Sequence, residues 1–467
     1  MDSAKQIVND WLAGFTTTRE FKSIPEVCPG DLKELLLPYQ REAPDLMLKS
    51  LRKRGKALDW SSMGVGKTYM LAAVAQASGL RPFVICRKNH LTETKRVYRS
   101  FGCDAEVSNY EKIRTGRTGW GGWYAAGRKA KRFHWSLPSD SLLIMDEHHK
   151  CRAIGGMNTQ MMVSSIMQNV PMIIASATPA ESPIDMQALG YFLGMHRLMD
   201  YFPWMLRNGV KITRYGPKYY GDTSFMDKVR NLALPEYGNC ILPSQLGDQF
   251  PMTYIDAKCY DSECAEEIKQ AYRSAARDID ALREDKRKRG VGFTRLGRLQ
   301  TAHQIVELAK TRLTAELVED SLEVGRACPV FVNFRESLSA LHRLLAKHKP
   351  SMIYGQQKDR DRQIERFQTG ETDVILLMIQ AGGESISLHA KAGMKPREAY
   401  ISPCWSGFDL KQVLGRVRRA GGQDSFQHVV FVAGTQEEKA CVKVRARLTN
   451  IEAMTDSDSL GEEELFA

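Results

Sequence analysis

The chain has 467 residues, a length that suits about three ordinary domains rather than one. Its hydrophobic fraction of 43% can fill buried cores, and no uninterrupted apolar run reaches the roughly 18 residues of a membrane helix. The net charge of +11 favours a polyanion, nucleic acid first, as partner. The N-terminus "MDSAKQIVNDWLAG" lacks a basic region followed by an apolar one, so no secretory signal is read there. The 10 cysteines include no C-x-x-C, and Cys259 and Cys264 have no second pair at ligand spacing. Reduced thiols in an intracellular protein are therefore expected, rather than a zinc site.

In chain order, an extension (1–35) precedes a first α/β lobe (36–245). Its apolar runs "RPFVICRK" (81–88), "SLLIMDEH" (141–148) and "VPMIIASATP" (170–179) are predicted parallel strands. Residues 115–135 are predicted to form a basic and aromatic insertion in it. A polar, helical stretch (246–325), dense in Arg and Glu, reads as a linker. A second lobe (326–450) carries the predicted strands "CPVFVNF" (328–334), "PSMIYG" (350–355), "TDVILLMI" (372–379), "REAYIS" (397–402) and "FQHVVFVA" (426–433). The final segment (451–467) is acidic and is read as a disordered tail.

The stretch "DWSSMGVGKTYM" (59–70) has the spacing of a phosphate loop, G-x-x-x-x-G-K-[ST], with Ser61 where the first glycine is expected. Such a loop turns backbone N–H groups around a phosphate and opens a helix whose N-terminus faces the anion. Gly64 and Gly66 hold the inner places, where positive φ or close approach to phosphate excludes a side chain. Lys67 is placed to reach the β- and γ-phosphates, Thr68 to hold magnesium, and Met63 and Val65 to line the loop. "LLIMDEHHK" ends a predicted strand in Asp146 and Glu147, where parallel sheets bind ligands. Asp146 suits Mg2+, often through water, and Glu147 suits a water to be polarised. A chance glycine loop and a solvated strand end are the bland readings; finding both in this order disfavours them.

The order phosphate loop, D-E-H-H, S-A-T (176–178) and Q-x-x-G-R-x-x-R (412–419) resembles superfamily two helicases and translocases over about residues 36–440. That superfamily commonly has A-x-x-G-x-G-K-T, so Ser61 resembles a family mark. "LLPYQREAPDLML" (36–48), "VSNYEKI" (107–113), "QAGGESISLHA" (380–390), "QVLGRVRRAGGQ" (412–423) and "VVFVAGTQEEK" (429–439) resemble motifs of the Snf-type double-stranded DNA translocases. "RYGPKYYGDTSFMDKVRNLAL" (214–234) resembles the annealing and fork-remodelling branch, and is similar to phage helicases that remodel forks and junctions. Ser385 and Ser387 depart from the Gly and Asn of the Snf-type pattern, and His148 from its usual Ala or Gly. The adjacent His148 and His149 read as ordinary contacts of the cleft between lobes rather than metal ligands.

The resemblance implies two tandem RecA-like lobes with ATP and Mg2+ between them. Gln40 would read the adenine and Gly383 would line the nucleotide site. Arg416 and Arg419 would reach the γ-phosphate across the cleft, with Arg418 in a supporting role at most. Ser176, Thr178 and Gln412 would couple nucleotide to lobe movement.

Nucleic acid is expected on "TGRTGWGGWYAAGRKAKRFHW" (115–135), through Arg117, Trp120, Trp123, Arg128, Lys129, Lys131 and Arg132. The alternative is a surface insertion whose tryptophans pack on the lobe. A second basic run, "REDKRKRGVGFTRLGR" (283–298), reads equally as a solvated helix face. The resulting expectation is a monomeric, intracellular DNA helicase or translocase acting on duplex, forked or branched DNA in replication, recombination or repair. Competing readings are an RNA helicase, a nucleic-acid scaffold with a degenerate motor, and a P-loop enzyme on small molecules. "GEEELFA" at the end is either a docking peptide for a replication or recombination protein or a solubilising tail.

Overall fold

Strand β1 (Lys56–Asp59) is short and buried, and it runs straight into the phosphate loop. In a computed structural model the described residues are 21–448, apart from 126–130, 214–215, 222–223, 248–249, 285–290, 356, 358, 383–385, 405–406 and 420. The expectations at Arg128, Lys129, Gly383 and Ser385, and those for 451–467, lie outside these residues. Contacts divide the chain into two units after Leu246.

The first unit is built on a six-stranded sheet. Its other strands are β2 (Arg81–Cys86), β3 (Glu106–Asn109), β6 (Ser141–Asp146), β7 (Met172–Ala175) and β10 (Gly238–Asn239). The order is β10-β1-β7-β6-β2-β3, and every pairing is parallel. Leu58, Met145 and Ile174 lie in its core, fully buried. Register does the functional work. Asp59 and Asp146 both pair with Ala175, so the phosphate loop, the acidic pair and the S-A-T segment all leave one edge of the sheet together. Two hairpins stand outside this sheet: β4 (Gly121–Ala125) with β5 (Lys131–Trp135), and β8 (Val210–Thr213) with β9 (Gly216–Tyr219).

The second unit holds another parallel six-stranded sheet, ordered β11-β16-β15-β12-β14-β13. Its strands are β11 (Thr253–Tyr260), β12 (Cys328–Val332), β13 (Ser351–Ile353), β14 (Val374–Met378), β15 (Arg397–Ile401) and β16 (Ser425–Val432). Both units have the build of RecA-like lobes, the α/β class expected from the sequence. One reading is corrected: residues 253–260 are an edge strand of the second sheet rather than part of a linker. Asp256 and Lys258 break its apolar pattern and Ala257 alone is fully buried, as befits a strand exposed along one side. Helices fill much of the rest of that stretch, at Ala265–Glu284, Val291–Ala309 and Thr311–Glu323. Among the described residues, no helix is long and apolar enough to cross a membrane.

Candidate nucleotide site

The loop after β1 has the backbone that the sequence demands. Gly64 and Gly66 adopt φ of 82° and 88°, and Gly66 caps the helix Lys67–Ser78 from the left-handed region. A Cβ on Gly66 would also collide with Gln40 Nε2. Gln40 is buried, donating from Nε2 to Val65 O (2.6 Å) and accepting from Leu37 N (2.9 Å) at Oε1. It lies against the loop with both ends of its amide engaged. Lys67 Nζ donates to the carbonyls of Ser61 (2.9 Å) and Ser62 (3.1 Å), which holds the ammonium at the loop. Thr68, partly exposed, follows it in the first turn.

Ser61 is fully buried, and its hydroxyl has a task that no glycine could perform. Oγ accepts from Asn239 Nδ2 and from Ile241 N, both at 2.9 Å. Beneath it, buried Asp59 accepts from Ser61 N (2.9 Å), and desolvation raises its pKa above the usual carboxylate value. Ser61→Gly should therefore strip two buried donors of their acceptor, at a cost of about 1–3 kcal/mol. Urea unfolding of the two proteins measures this; an unchanged midpoint would reject the role.

The acidic pair sits opposite. Asp146 Oδ1 accepts from Glu147 N (2.9 Å), and Tyr110 donates from its hydroxyl to Asp146 O (2.8 Å). Tyr110, in "VSNYEKI", is thereby tied to the acids from the helix Tyr110–Arg114, which Asn109 caps. Glu147 is a non-glycine residue at φ 55°, a conformation that costs about 1 kcal/mol and concentrates at functional sites.

Burial and the neighbouring Glu147 push the Asp146 carboxyl up to about 7. Burial pushes Glu147 up as well, but the hydrogen bond from His149 outweighs it and holds Glu147 well below its usual range. A buried carboxylate beside a second one suits a dication, which would offset the repulsion. Asp146 and Thr68 are the residues that could hold Mg2+. Among the described residues there is no cluster of three or more metal-ligating side chains. One carboxylate plus substrate phosphates is how Mg2+ is commonly held.

The two histidines were underread in the sequence. His149 is buried and contacts Arg87 NH2 through Nε2 (3.2 Å). Arginine only donates, so Nε2 accepts and Nδ1 carries the proton. That proton lies between Glu147 Oε2 (3.2 Å) and Ser176 Oγ (3.1 Å). Ser176 Oγ in turn accepts from Thr178 N (3.1 Å), and Ser176 N donates to Asp59 O (3.0 Å). His149 thus joins the acidic pair to the S-A-T segment. His148 Nε2 accepts from Trp60 Nε1 (3.3 Å), and burial with the adjacent His149 pushes its pKa down to about 3, keeping it neutral. Both are packed within the first unit. Position i+2 after Glu147 was the available signal, missed because two adjacent histidines have no fixed meaning in sequence.

In the second unit, Gln412 and Arg416 are buried on the helix Gly407–Val417. Leu388 N donates to Arg416 O (2.9 Å), and Gln423 N to Ala390 O (2.8 Å), so the 380–390 and 412–423 motifs pack together. Gln423 Nε2 adds a bond to Lys391 O (2.7 Å). Arg418 places its guanidinium 4.7 Å from the centre of the Phe250 ring. Arg419 lies near His389, whose pKa is pushed down to about 4 by burial and then by that charge.

The aromatic insertion is corrected in part. Trp120 is buried, donates from Nε1 to Glu106 (3.0 Å) and meets Phe83 edge-on at 5.1 Å, so its ring belongs to the core. Trp123 is half-buried, with Nε1 on Arg114 O (2.8 Å) and its ring against Phe133. Tryptophan is too apolar to leave outside when a core is adjacent, and these two fill it. Arg117, Lys131 and Arg132 remain exposed.

A half-buried lysine in a glycine loop, with a strand-end acidic pair in the same unit, is an arrangement that could hold the phosphates of a nucleotide. The comparisons narrow this. Residues 309–421 match the helicase conserved C-terminal domain. Over 94% of its length the chain is 29% identical to a protein of Acanthamoeba polyphaga mimivirus named "Putative ATP-dependent RNA helicase", covering 88% of that relative. These two likenesses support an ATP-dependent helicase. Similar solved structures include a Sulfolobus solfataricus SWI2/SNF2 ATPase core in complex with dsDNA, 16% identical with a TM-score of 0.37, covering 96% of this chain and 98% of that one. S. cerevisiae Dbp5 bound to RNA and ADP BeF3 is 12% identical with a TM-score of 0.48, covering 89% and 92%.

Proposed function

We propose that the chain is a DNA-stimulated ATPase of the Snf type, a translocase on duplex, forked or branched DNA in replication, recombination or repair. The observation that carries it is the chain of contacts Glu147–His149–Ser176, which supports a site where hydrolysis is linked to movement of the S-A-T segment. In this reading Lys67 and the loop 63–68 bind the phosphates, and Gln40 and Gly383 complete the nucleotide site. Asp146 and Thr68 hold Mg2+, which neutralises charge on the phosphates when bound. Glu147 accepts a proton from the attacking water. Arg416 and Arg419 stabilise the γ-phosphate from the second unit, and Ser176, Thr178 and Gln412 transmit the change. The motor acts as a monomer.

DNA reaches the exposed bases Arg117, Lys131 and Arg132 beside the β4–β5 hairpin. Charge reversal of the three should weaken DNA binding and reduce the stimulation of ATP hydrolysis, with ATP affinity unchanged. Fluorescence anisotropy across a salt series checks this, and unaltered DNA binding would remove the insertion from the DNA path. An RNA helicase is the second reading, favoured by the name of the mimivirus relative. A panel of duplex, fork, four-way junction, single strand and RNA, scored for ATPase stimulation and strand exchange, separates the two. Stimulation by RNA alone would overturn the DNA assignment.

A further inference from the structure

The hairpin β8–β9 has no part in the site described above. It is anchored where Val210 pairs with Tyr219, Val210 being buried in the core of the first unit. Beyond that pair it leaves the core, and Ile212 is 60% exposed. On its other face Lys211 lies directly opposite Lys218. Like charges at facing positions of an antiparallel pair destabilise it. The two ammonium groups also converge on one ring, at 5.3 Å and 5.5 Å from the centre of Tyr220, which is 56% exposed. Among the described residues neither lysine forms a salt bridge. Two cations held close with no salt-bridge partner among those residues favour an anion between them. Lysines placed for packing alone would more cheaply alternate with acids across the strands.

We infer that the face formed by Lys211, Lys218 and Tyr220 is a second DNA-binding surface, gripping the phosphodiester backbone. It rests on the reading of the chain as a DNA motor. Two adjacent phosphates fit two ammonium groups, and the Tyr220 ring and hydroxyl offer contact to sugar or phosphate. Backbone contact needs no base sequence, which suits a tracking motor.

The test is the double variant Lys211→Ala/Lys218→Ala of the full chain, with forked DNA followed by anisotropy across a salt series. Losing two phosphate contacts should make the slope of log affinity against log salt shallower by about 1.8, and binding at low salt about tenfold weaker. ATP affinity should stay put and the melting temperature should not fall, because both lysines are exposed and removing them relieves their repulsion. Tyr220→Phe, which keeps the ring, should retain most of the binding. If the wild-type chain neither binds DNA nor is stimulated by it, the functional reading falls and this surface with it. If the wild type binds and the double variant binds with the same slope, this surface alone is overturned. An acidic protein segment is the competing occupant. Lost binding of a glutamate-rich peptide, with DNA binding intact, would overturn the assignment. So would an effect confined to RNA.

Discussion

Glu147→Gln should bind ATP as tightly as the parent and hydrolyse it at least about 100-fold more slowly, the usual scale for losing a positioned base. The substitution keeps size and shape, so the left-handed backbone at this position and the contact to His149 can persist. What disappears is the charge. Glu147 is anionic at neutral pH because His149 overcomes the penalty of burial, and an amide cannot take the proton of a water. Asp146 would feel the change too, since the charge that helps raise its carboxyl to about 7 is gone. Its pKa should fall, leaving it better ionised and ATP·Mg2+ binding undiminished. Single-turnover hydrolysis beside equilibrium binding of a fluorescent nucleotide separates the two effects. Turnover within threefold of the parent would refute the assignment of Glu147.

Arg416→Ala should lower DNA-stimulated turnover by about 1,000-fold with ATP binding nearly intact, the range seen when an arginine that meets developing phosphate charge is removed. Arg418→Ala is the internal contrast. Its guanidinium lies over Phe250, so a packing loss and little change in turnover are expected. Because Arg416 is buried, the alanine variant needs a melting curve beside it, and Arg416→Lys keeps the charge while losing the planar fork. If Arg416→Ala and Arg418→Ala lost activity equally, the site would be misassigned.

Much of this was legible because chemistry constrains sequence tightly at a phosphate. Gly64 and Gly66 are dictated by a left-handed backbone, Lys67 opens the helix that follows, and Asp146–Glu147 mark the end of an apolar strand. The central strands β2, β6, β7, β12 and β14 announce themselves as apolar runs because both faces are covered. The missed strands lie at the margins or are very short. β3 and β11 are edges with polar positions, β1 has four residues and β10 two. The hairpins escaped because their pairing is fixed by tertiary support rather than by an apolar pattern. Trp120 and Trp123 misled for a related reason: amphipathic residues beside lysines look the same whether they face a base or a core. His149 was hidden because its partners Arg87 and Ser176 follow β2 and β7, strands distant in the sequence that flank β6 in the sheet.

Asn239 and Ile241 lie within a few residues of the point where the chain passes into the second unit. Their shared acceptor, the hydroxyl at position 61, belongs to the glycine loop that follows β1. Backbone bonds from Trp60 N to Asn239 O (2.8 Å) and from Ser62 N to Ile241 O (2.9 Å) run beside it, so loop and segment are laced together at several points. Losing the hydroxyl would weaken that seam without undoing it.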